Sequence, residues 1–168
     1  MTSDSADLEH LGPDGSARMV DVGAKAVTRR TASAEAYVTV GPEIAERLRT
    51  KGVIAKGNVL QVARLAGIAA AKQTAALIPL CHPIALEVVE VEAAVEGDRV
   101  RIRTRAAAEA KTGVEMEALT AAAVAALTVY DMVKSAGKGI EIGPVRLLEK
   151  EGGTSGRWSR EEHGDGAR

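Results

Sequence analysis

Aromatic side chains are nearly absent from this 168-residue chain, which has no Phe, two Tyr and one Trp. Proteins that stack single-stranded bases on aromatic rings need more of them, so this class is excluded. Because each aromatic residue would bury about 150 to 250 Å², a core of Ala, Val, Leu and Ile buries less area per residue. We therefore expect compensation through close packing of small-residue helices and burial between subunits, which predicts a homo-oligomer.

The chain also has a net charge near zero, a single cysteine and no long apolar run. The 22 basic residues nearly balance the 23 acidic ones, whereas a general nucleic-acid binder carries a basic excess. The single cysteine, Cys81, allows no intramolecular disulfide, and with two of the three histidines in polar ends too few soft ligands remain for a metal site. No signal-like segment and no apolar run of about 18 residues is visible, so we expect no membrane span and a reducing, cytoplasmic setting.

Polarity divides the chain into one apolar-rich segment and two polar ends. Residues 1–18 and 154–168 combine glycine, serine and charged residues without an apolar period, so we expect a flexible leader and a flexible tail. Residues 19–153 contain no internal repeat and no long linker. This segment is therefore predicted to be a single domain of ordinary size.

Strands are predicted at the start, middle and end of that segment, with helices between them. The predicted strands are Glu35–Val40, a hairpin of Val89–Glu92 with Val100–Arg105, and Ile140–Leu148. The predicted helices are Pro42–Lys51, a longer one that is capped by Asn58 and ends near Leu77, and an apolar one over Ala118–Ala136. Because one hairpin face is apolar and the other charged, this order predicts an α+β domain whose antiparallel sheet carries helices on one face only.

Cys81 and His82 stand between two prolines in the string IPLCHP, residues 78–83. Pro79 and Pro83 hold the backbone extended and fix where both side chains point, as a binding or catalytic loop requires. A buried cysteine and a hydrogen-bonded structural histidine would explain the same pattern. Adjacent residues of an extended chain point to opposite sides, so the spacing does not favour a Cys-His nucleophile pair.

Acidic residues precede the most apolar predicted helix. Thr112 followed by Glu115 fits a capping box, and the helix dipole stabilises Glu115 and Glu117 near the helix N-terminus. That is a complete structural explanation of the pattern. The functional alternative is that Glu117, at the edge of an apolar layer, holds a proton or grips the polar edge of a heterocycle.

Two further groups of charged residues flank apolar helices. Asp131 and Lys134 share one face of the last helix, as either a buried salt bridge or an acid–base couple with perturbed pKa values, and the sequence leaves both open. Lys56 precedes the helix that Asn58 caps, where backbone N–H groups and a lysine form a candidate phosphate site. Three other cations could add charge there: Arg30, Arg64 and Lys72.

Five strings together resemble the cyclic pyranopterin monophosphate synthase family (molybdenum cofactor biosynthesis protein C), the second enzyme of molybdenum cofactor biosynthesis. They are MVDVGAK (19–25), IPLCHP (78–83), KTGVEMEALTAA (111–122), LTVYDMVK (127–134) and IGPVRLLEKEGG (142–153). The resemblance covers about Met19 to Gly156. It implies a ferredoxin-like α+β subunit assembled as a homo-hexamer, a trimer of dimers, with active sites at subunit interfaces.

The reaction implied by the resemblance converts (8S)-3',8-cyclo-7,8-dihydroguanosine 5'-triphosphate into cyclic pyranopterin monophosphate and diphosphate, with no metal and no organic cofactor. Motif by motif, Asp131, Lys134 and Lys56 match catalytic residues. Matching substrate-binding residues are Leu80, Cys81, His82, Glu115, Met116, Glu117, Arg30 and Lys72, the last two assigned to the triphosphate. We hypothesise that burial and mutual repulsion lower the pKa values of Lys56 and Lys134, which act as acid or base with Asp131.

The C-terminal string departs from the family, which often has a lysine where this chain has Thr154 and a different ending from Arg157-Trp158. A competing hypothesis is a non-catalytic, ferredoxin-like small-molecule-binding regulatory module. A carboxylate–lysine pair in an apolar helix favours the enzyme, because phosphate binding alone needs only cations. The scarcity of aromatics also predicts that a ligand ring is held by backbone groups, Met116, Leu80 and carboxylates.

Overall fold

The computed structural model describes residues 14–51, 53–54, 57–154 and 156–160, with residues 53 and 54 described in the backbone alone. The main sheet contains β1 (Thr28–Thr39), β4 (Val88–Glu96), β5 (Arg99–Ala110), β6 (Glu141–Glu151) and β7 (Arg157–Ser159). The two-residue strands β2 (Val53–Ile54) and β3 (Gly57–Asn58) pair with each other. The helices are α1 (Pro42–Lys51), α2 (Val59–Ala71), α3 (Thr74–Leu77) and α4 (Glu115–Val133).

The strands of the main sheet lie in the order β4-β5-β1-β6-β7, and all neighbours are antiparallel. Helices follow β1 and β5 in the chain, so the chain forms two strand–helix–strand units. The strands of the two units alternate in the sheet. This is the ferredoxin-like α+β arrangement, with β7 added at one edge. The predicted antiparallel sheet with helices on one face is confirmed.

The core lies between the sheet and the helices α2 and α4. Alternate residues of β1 face the helices and are at most 1% exposed: Ala32, Ala34, Ala36 and Val38. Gly67 of α2 approaches α4 so closely that a Cβ atom there would lie 2.9 Å from the backbone oxygen of Ala121. Small residues therefore permit the close helix packing that an aromatic-poor core requires.

Local signals set the starts of the first two helices as predicted. α1 begins at Pro42 and ends at Lys51, because proline suits the first turn of a helix. Asn58 caps α2, and its side-chain oxygen accepts a 3.1 Å hydrogen bond from the backbone N–H of Gln61. α2 is shorter than expected, however, since it ends at Ala71 and a separate turn, α3, covers the rest of the predicted span.

The strands are longer than predicted. β1 begins at Thr28 instead of Glu35, and β5 continues to Ala110. Alanine and arginine have little preference for strands on their own, but full-length pairing between β1 and β5 fixes these residues in the sheet. The hairpin turn lies between the two predicted strands, and in its register Glu90 lies opposite Arg105.

The start of α4 differs from the sequence interpretation. α4 begins at Glu115 with Val114 as its N-cap residue, and no side chain makes a hydrogen bond at the cap. The predicted capping box of Thr112 with Glu115 is therefore wrong. The carboxylate of Glu115 instead accepts a hydrogen bond from Lys150 of β6.

Part of the predicted tail forms a strand. Residues 157–159 pair with β6, and Trp158 lies opposite Lys150 in the register. Residues 1–13 of the predicted leader and 161–168 of the predicted tail lie outside the described residues. Within the described part, the sheet is thus one strand wider than the sequence indicates.

α4 is buried on most of its surface but not all round. Leu127 and Tyr130, in its C-terminal half, are 57% and 39% exposed. By length and composition alone the helix could cross a membrane, yet 56% of its most apolar window is buried inside the domain. The core helix of a soluble protein has the same properties, so this is weak evidence for a span.

Candidate active site

Two cavities adjoin at the N-terminal end of α4. The first has a volume of about 310 Å³, and four cations line it: Lys25, Arg30, Lys111 and Lys150. We call it the cationic cavity. The second has a volume of about 340 Å³ and is lined by the loop before β4 and the first turn of α4, including Leu80, Cys81, His82, Met116 and Glu117. We call it the loop cavity, and Lys25, Thr112, Gly113 and Glu115 line both.

Arg30 enters the cationic cavity from the start of β1. Its Nε and one terminal nitrogen each donate a 3.3 Å hydrogen bond to the backbone oxygens of Ala110 and Lys111. Gly153 has a φ of 69°, and a Cβ atom there would collide with the guanidinium of Arg30. The glycine pair after β6 therefore leaves the space in which this cation is held.

Two lysines are held at the same cavity by oxygen atoms. Lys111 donates a 2.7 Å hydrogen bond from Nζ to the backbone oxygen of Gly23. Lys150 donates a 2.9 Å hydrogen bond from Nζ to Oε1 of Glu115. Because four cations outnumber the two lining carboxylates of Glu115 and Glu151, the cavity favours an anionic group.

The loop cavity contains the proline-bracketed loop. The backbone N–H of Cys81 donates a 3.1 Å hydrogen bond to the oxygen of Ile78, which closes a turn. Both Cys81 and His82 are half-buried and line the cavity, although their adjacency in an extended chain favoured opposite directions. The turn explains the difference, because it removes the strict alternation of an extended strand.

Glu117 is the most buried charged group of this cavity. Its side chain is 3% exposed, and Oε2 has no hydrogen-bond partner in the part of the chain that the structure describes. Burial and, to a smaller extent, the neighbouring charge of Glu115 raise the pKa of Glu117 above its usual range. A buried carboxyl that lines a cavity and has one oxygen without a partner is suited to bind a polar ligand group or to hold a proton.

Cys81 is not activated as a nucleophile. Burial and the charge of Glu117 raise the pKa of its thiol, whereas catalytic cysteines have lowered pKa values. The thiol therefore serves as a small apolar wall of the loop cavity.

Asp131 and Lys134 lie at the opposite end of α4. Their side chains are 2.7 Å apart and 58% and 55% exposed, so the predicted burial of this pair is wrong for the single subunit. The hydrogen bond with Asp131 and its charge raise the pKa of Lys134, which also contradicts a lowered value within one chain. Met132 and Val133 beside the pair are buried in the core, so Asp131 and Lys134 are exposed because they lie on the solvent-facing side of the end of α4.

The length of α4 separates the two sets of predicted site residues. Asp131 is fourteen positions after Glu117 in the chain, so at 1.5 Å per residue they are about 21 Å apart along the helix axis. The structure brings together Leu80, Cys81, His82, Arg30, Glu115, Met116 and Glu117. It does not bring Asp131, Lys134 or Lys72 to these cavities; Lys72 is an exposed C-cap residue of α2. Lys56 lies outside the described residues.

Sequence reasoning did not select three of the lysines that line the cationic cavity. Lys25, Lys111 and Lys150 are far apart in the chain, and only the folded domain brings them together. A signal was present, since each belongs to one of the five family strings. Across the described ranges, no three His, Cys, Asp or Glu side chains form a group suited to hold a metal ion.

The sequence of this chain resembles known proteins along nearly its whole length. A family model described as the MoaC family matches residues 19–153. A cyclic pyranopterin monophosphate synthase of Thermomicrobium roseum is 54% identical over 159 residues, which cover 94% of this chain and 95% of that protein.

Proposed function

This chain belongs to the MoaC family, and from that premise we propose that it is a cyclic pyranopterin monophosphate synthase of molybdenum cofactor biosynthesis. The enzyme is a phosphorus–oxygen lyase that converts (8S)-3',8-cyclo-7,8-dihydroguanosine 5'-triphosphate into cyclic pyranopterin monophosphate and diphosphate. The observation that carries the proposal is the junction of the cationic and loop cavities at Glu115. A substrate with a triphosphate at one end and a purine-derived ring at the other needs two such compartments.

The triphosphate occupies the cationic cavity in this proposal. Arg30, Lys111 and Lys150 are held there by hydrogen bonds to oxygen atoms, so their charges are positioned before a ligand arrives. Closing the cyclic phosphate requires attack of a sugar hydroxyl on the α-phosphate and departure of diphosphate. Fixed cations stabilise the charge that develops on that leaving group.

The ring occupies the loop cavity. Leu80 and Met116 give the ring apolar walls, in keeping with the scarcity of aromatics, and Glu117 faces the polar edge of the ring. Because the pKa of Glu117 is raised, its carboxyl exchanges protons closer to neutral pH than an ordinary glutamate does. Opening and reclosing of the ring need groups that both give and accept protons.

The catalytic pair reaches this substrate from a second subunit. Asp131 and Lys134 are about 21 Å along α4 from Glu117 of the same chain, so one small substrate does not bridge the two ends. The exposed Leu127 and Tyr130 beside the pair give an apolar surface that a neighbouring copy can cover. We therefore propose a homo-hexamer, a trimer of dimers, whose active sites combine residues of two chains, in the cytoplasm.

Assembly also changes the surroundings of Lys134. In the proposed shared site the neighbouring subunit buries Lys134 and brings Lys56 and the substrate to it. Burial and a second cation lower the pKa of a lysine, which suits an acid–base role. Asp131 then orients Lys134 through the 2.7 Å contact that already exists in the subunit.

A non-catalytic binding module of the same fold is not favoured, because family membership and the full-length relative point to the enzyme. The test is incubation of the full-length protein with the cyclic guanosine triphosphate precursor and measurement of diphosphate and pterin product. Lys134→Ala and Asp131→Ala should abolish turnover, while Lys138→Ala, an exposed lysine beyond the same helix, should retain it. Binding without turnover by the unaltered protein would instead support the module.

A further inference from the structure

A segment without helix or strand lies along both cavities of the candidate active site. It consists of residues 19–25, which precede β1, and we call it the strap. Val20 and Val22 of the strap line the loop cavity, and Lys25 lines both the loop cavity and the cationic cavity. The strap is therefore a wall of the compartments proposed for the ring and for the triphosphate.

The strap has few contacts that hold it to the domain. Most of its residues are exposed, and two of its hydrogen bonds are internal to it. Among the residues that the structure describes, one hydrogen bond connects the strap to the rest of the domain. It is the 2.7 Å contact from Nζ of Lys111 to the backbone oxygen of Gly23. A segment with exposed backbone and so few contacts opens locally at a low cost in free energy.

Lys111 belongs to the fixed side of the cationic cavity. It directly follows β5, and its backbone oxygen accepts a 3.3 Å hydrogen bond from a terminal nitrogen of Arg30. A lysine ammonium group has three N–H donors, and the contact with Gly23 uses one of them. Lys111 can therefore donate to a phosphate oxygen and keep its hold on the strap at the same time.

Lys25 lines the same cavity from the strap. It is exposed and forms no ion pair with any residue in the described part of the chain, and the partner of Lys111 is a neutral oxygen. Two ammonium groups that line one cavity repel each other, whereas an anion between them attracts both. Because one of these lysines is on the strap and the other is on the domain, a bound phosphate group draws the strap against the domain.

We propose that Lys25 and Lys111 couple the two compartments, so that a triphosphate in the cationic cavity fixes the strap as a wall of the loop cavity. This coupling rests on the proposed function, because it requires the phosphate compartment. Val20 and Val22 are on the strap, so fixing the strap closes the ring compartment and keeps water from it. Departure of diphosphate frees the strap and opens the loop cavity for release of the product.

Hydrogen–deuterium exchange of the full-length protein with inorganic diphosphate tests the coupling, and calorimetry measures how much diphosphate is bound. At saturation the amides of the strap should exchange at least about 5-fold more slowly. The hairpin turn at Gly97 and Asp98, at the other end of β5, should be unchanged. In Lys25→Gln and in Lys111→Met, saturating diphosphate should leave the exchange of the strap fast.

Lys150→Met is the matched control. Lys150 lines the same cavity but contacts Glu115 and not the strap, so saturating diphosphate should still slow the exchange of the strap in this variant. Loss of that protection at full occupancy would overturn the coupling, because the effect would then follow from any cation of the cavity.

Failure of the coupling and failure of the proposed function give different results. Bound diphosphate with no slowing of exchange in the strap would overturn the coupling and leave the proposed function standing. Absence of diphosphate binding would contradict the phosphate compartment itself, and the coupling with it. Circular dichroism confirms that each variant is folded, and Lys25→Gln, a change at an exposed residue, decides the test if Lys111→Met does not fold.

Discussion

The Nζ atom of Lys150 lies 2.9 Å from Oε1 of Glu115, and this pair links β6 to the first turn of α4. Both residues line the cationic cavity, and Glu115 also lines the loop cavity. The pair therefore lies at the boundary between the compartments proposed for the triphosphate and for the ring. An incoming phosphate competes with Glu115 for Lys150, so substrate binding and the position of this acid are coupled.

Replacing Lys150 should impair substrate binding far more than folding. In Lys150→Met a charged hydrogen-bond donor is lost, which typically costs about 1.5 to 3 kcal/mol, so KM for the triphosphate substrate should rise roughly 10- to 100-fold. The unfolding midpoint should change little, because partly exposed ion pairs contribute about 0 to 1 kcal/mol. Steady-state kinetics and thermal unfolding measure both, and Lys150→Arg is the charge-preserving control. An unchanged KM would contradict the assignment of the cationic cavity.

Replacing Glu117 by glutamine should stabilise the fold at neutral pH. Burial raises the pKa of this carboxyl in the folded state, so the folded protein favours its protonated form and loses stability as pH rises above the unfolded value of about 4.3. Glu117→Gln removes this loss, and we expect a gain of about 1 kcal/mol at pH 7, or roughly 2 to 4 °C. The gain should vanish below pH 4 in urea or thermal unfolding, and a uniform effect at all pH values would argue against a titration of Glu117.

Two inactive variants should restore each other. If each active site takes Glu117 from one chain and Lys134 from another, an equal mixture of Glu117→Gln and Lys134→Ala subunits contains some sites with both native residues. Random assembly makes about a quarter of the sites intact, so about a quarter of the normal turnover should return after subunit exchange. The control mixture of Lys134→Ala with Asp131→Ala should stay inactive, because both changes affect the same half-site. No recovery in verified mixed oligomers would refute the shared site.

Glu35 should be a stabilising residue of the open sheet face. Hydrogen bonds from Arg146 and Arg101 outweigh the effect of burial and hold the pKa of Glu35 below its usual range. Its contribution is therefore present above the unfolded pKa of about 4.3 and is lost as pH falls through the lowered folded value. Because the two arginines are partly exposed, we expect Glu35→Gln to cost about 2 kcal/mol at pH 7, less than a fully buried pair. Glu90→Gln, from an exposed pair, should cost less than about 0.5 kcal/mol.

Elements with local signals were predictable from the sequence, and elements set by distant partners were not. Pro42 and Asn58 mark the starts of α1 and α2 because their effects act within one turn. The first half of β1, TRRTAS, carries no such signal, and it is a strand because it pairs with β5. β7 was missed for the same reason, since a three-residue strand depends on the edge that β6 offers.

The same contrast between local signals and distant partners holds for the candidate site. The proline-bracketed loop and the acids at the start of α4, which local patterns indicated as candidate site residues, line one cavity. The contact of Lys150 with Glu115 joins residues 35 positions apart, so no local spacing indicated it. The exposure of Asp131 and Lys134 was also unpredictable, because a helix sequence that is apolar nearly all round does not reveal which side of its last turn faces away from the core.

The only tryptophan of the chain lies opposite Lys150 across the ladder of β6 and β7. An arginine, Arg160, stacks on its ring at 5.7 Å. Indole emission responds to nearby charge, and no second tryptophan contributes background. The protein therefore contains its own optical reporter: Trp158 fluorescence can be used to follow anion entry beside Lys150 in real time without a label.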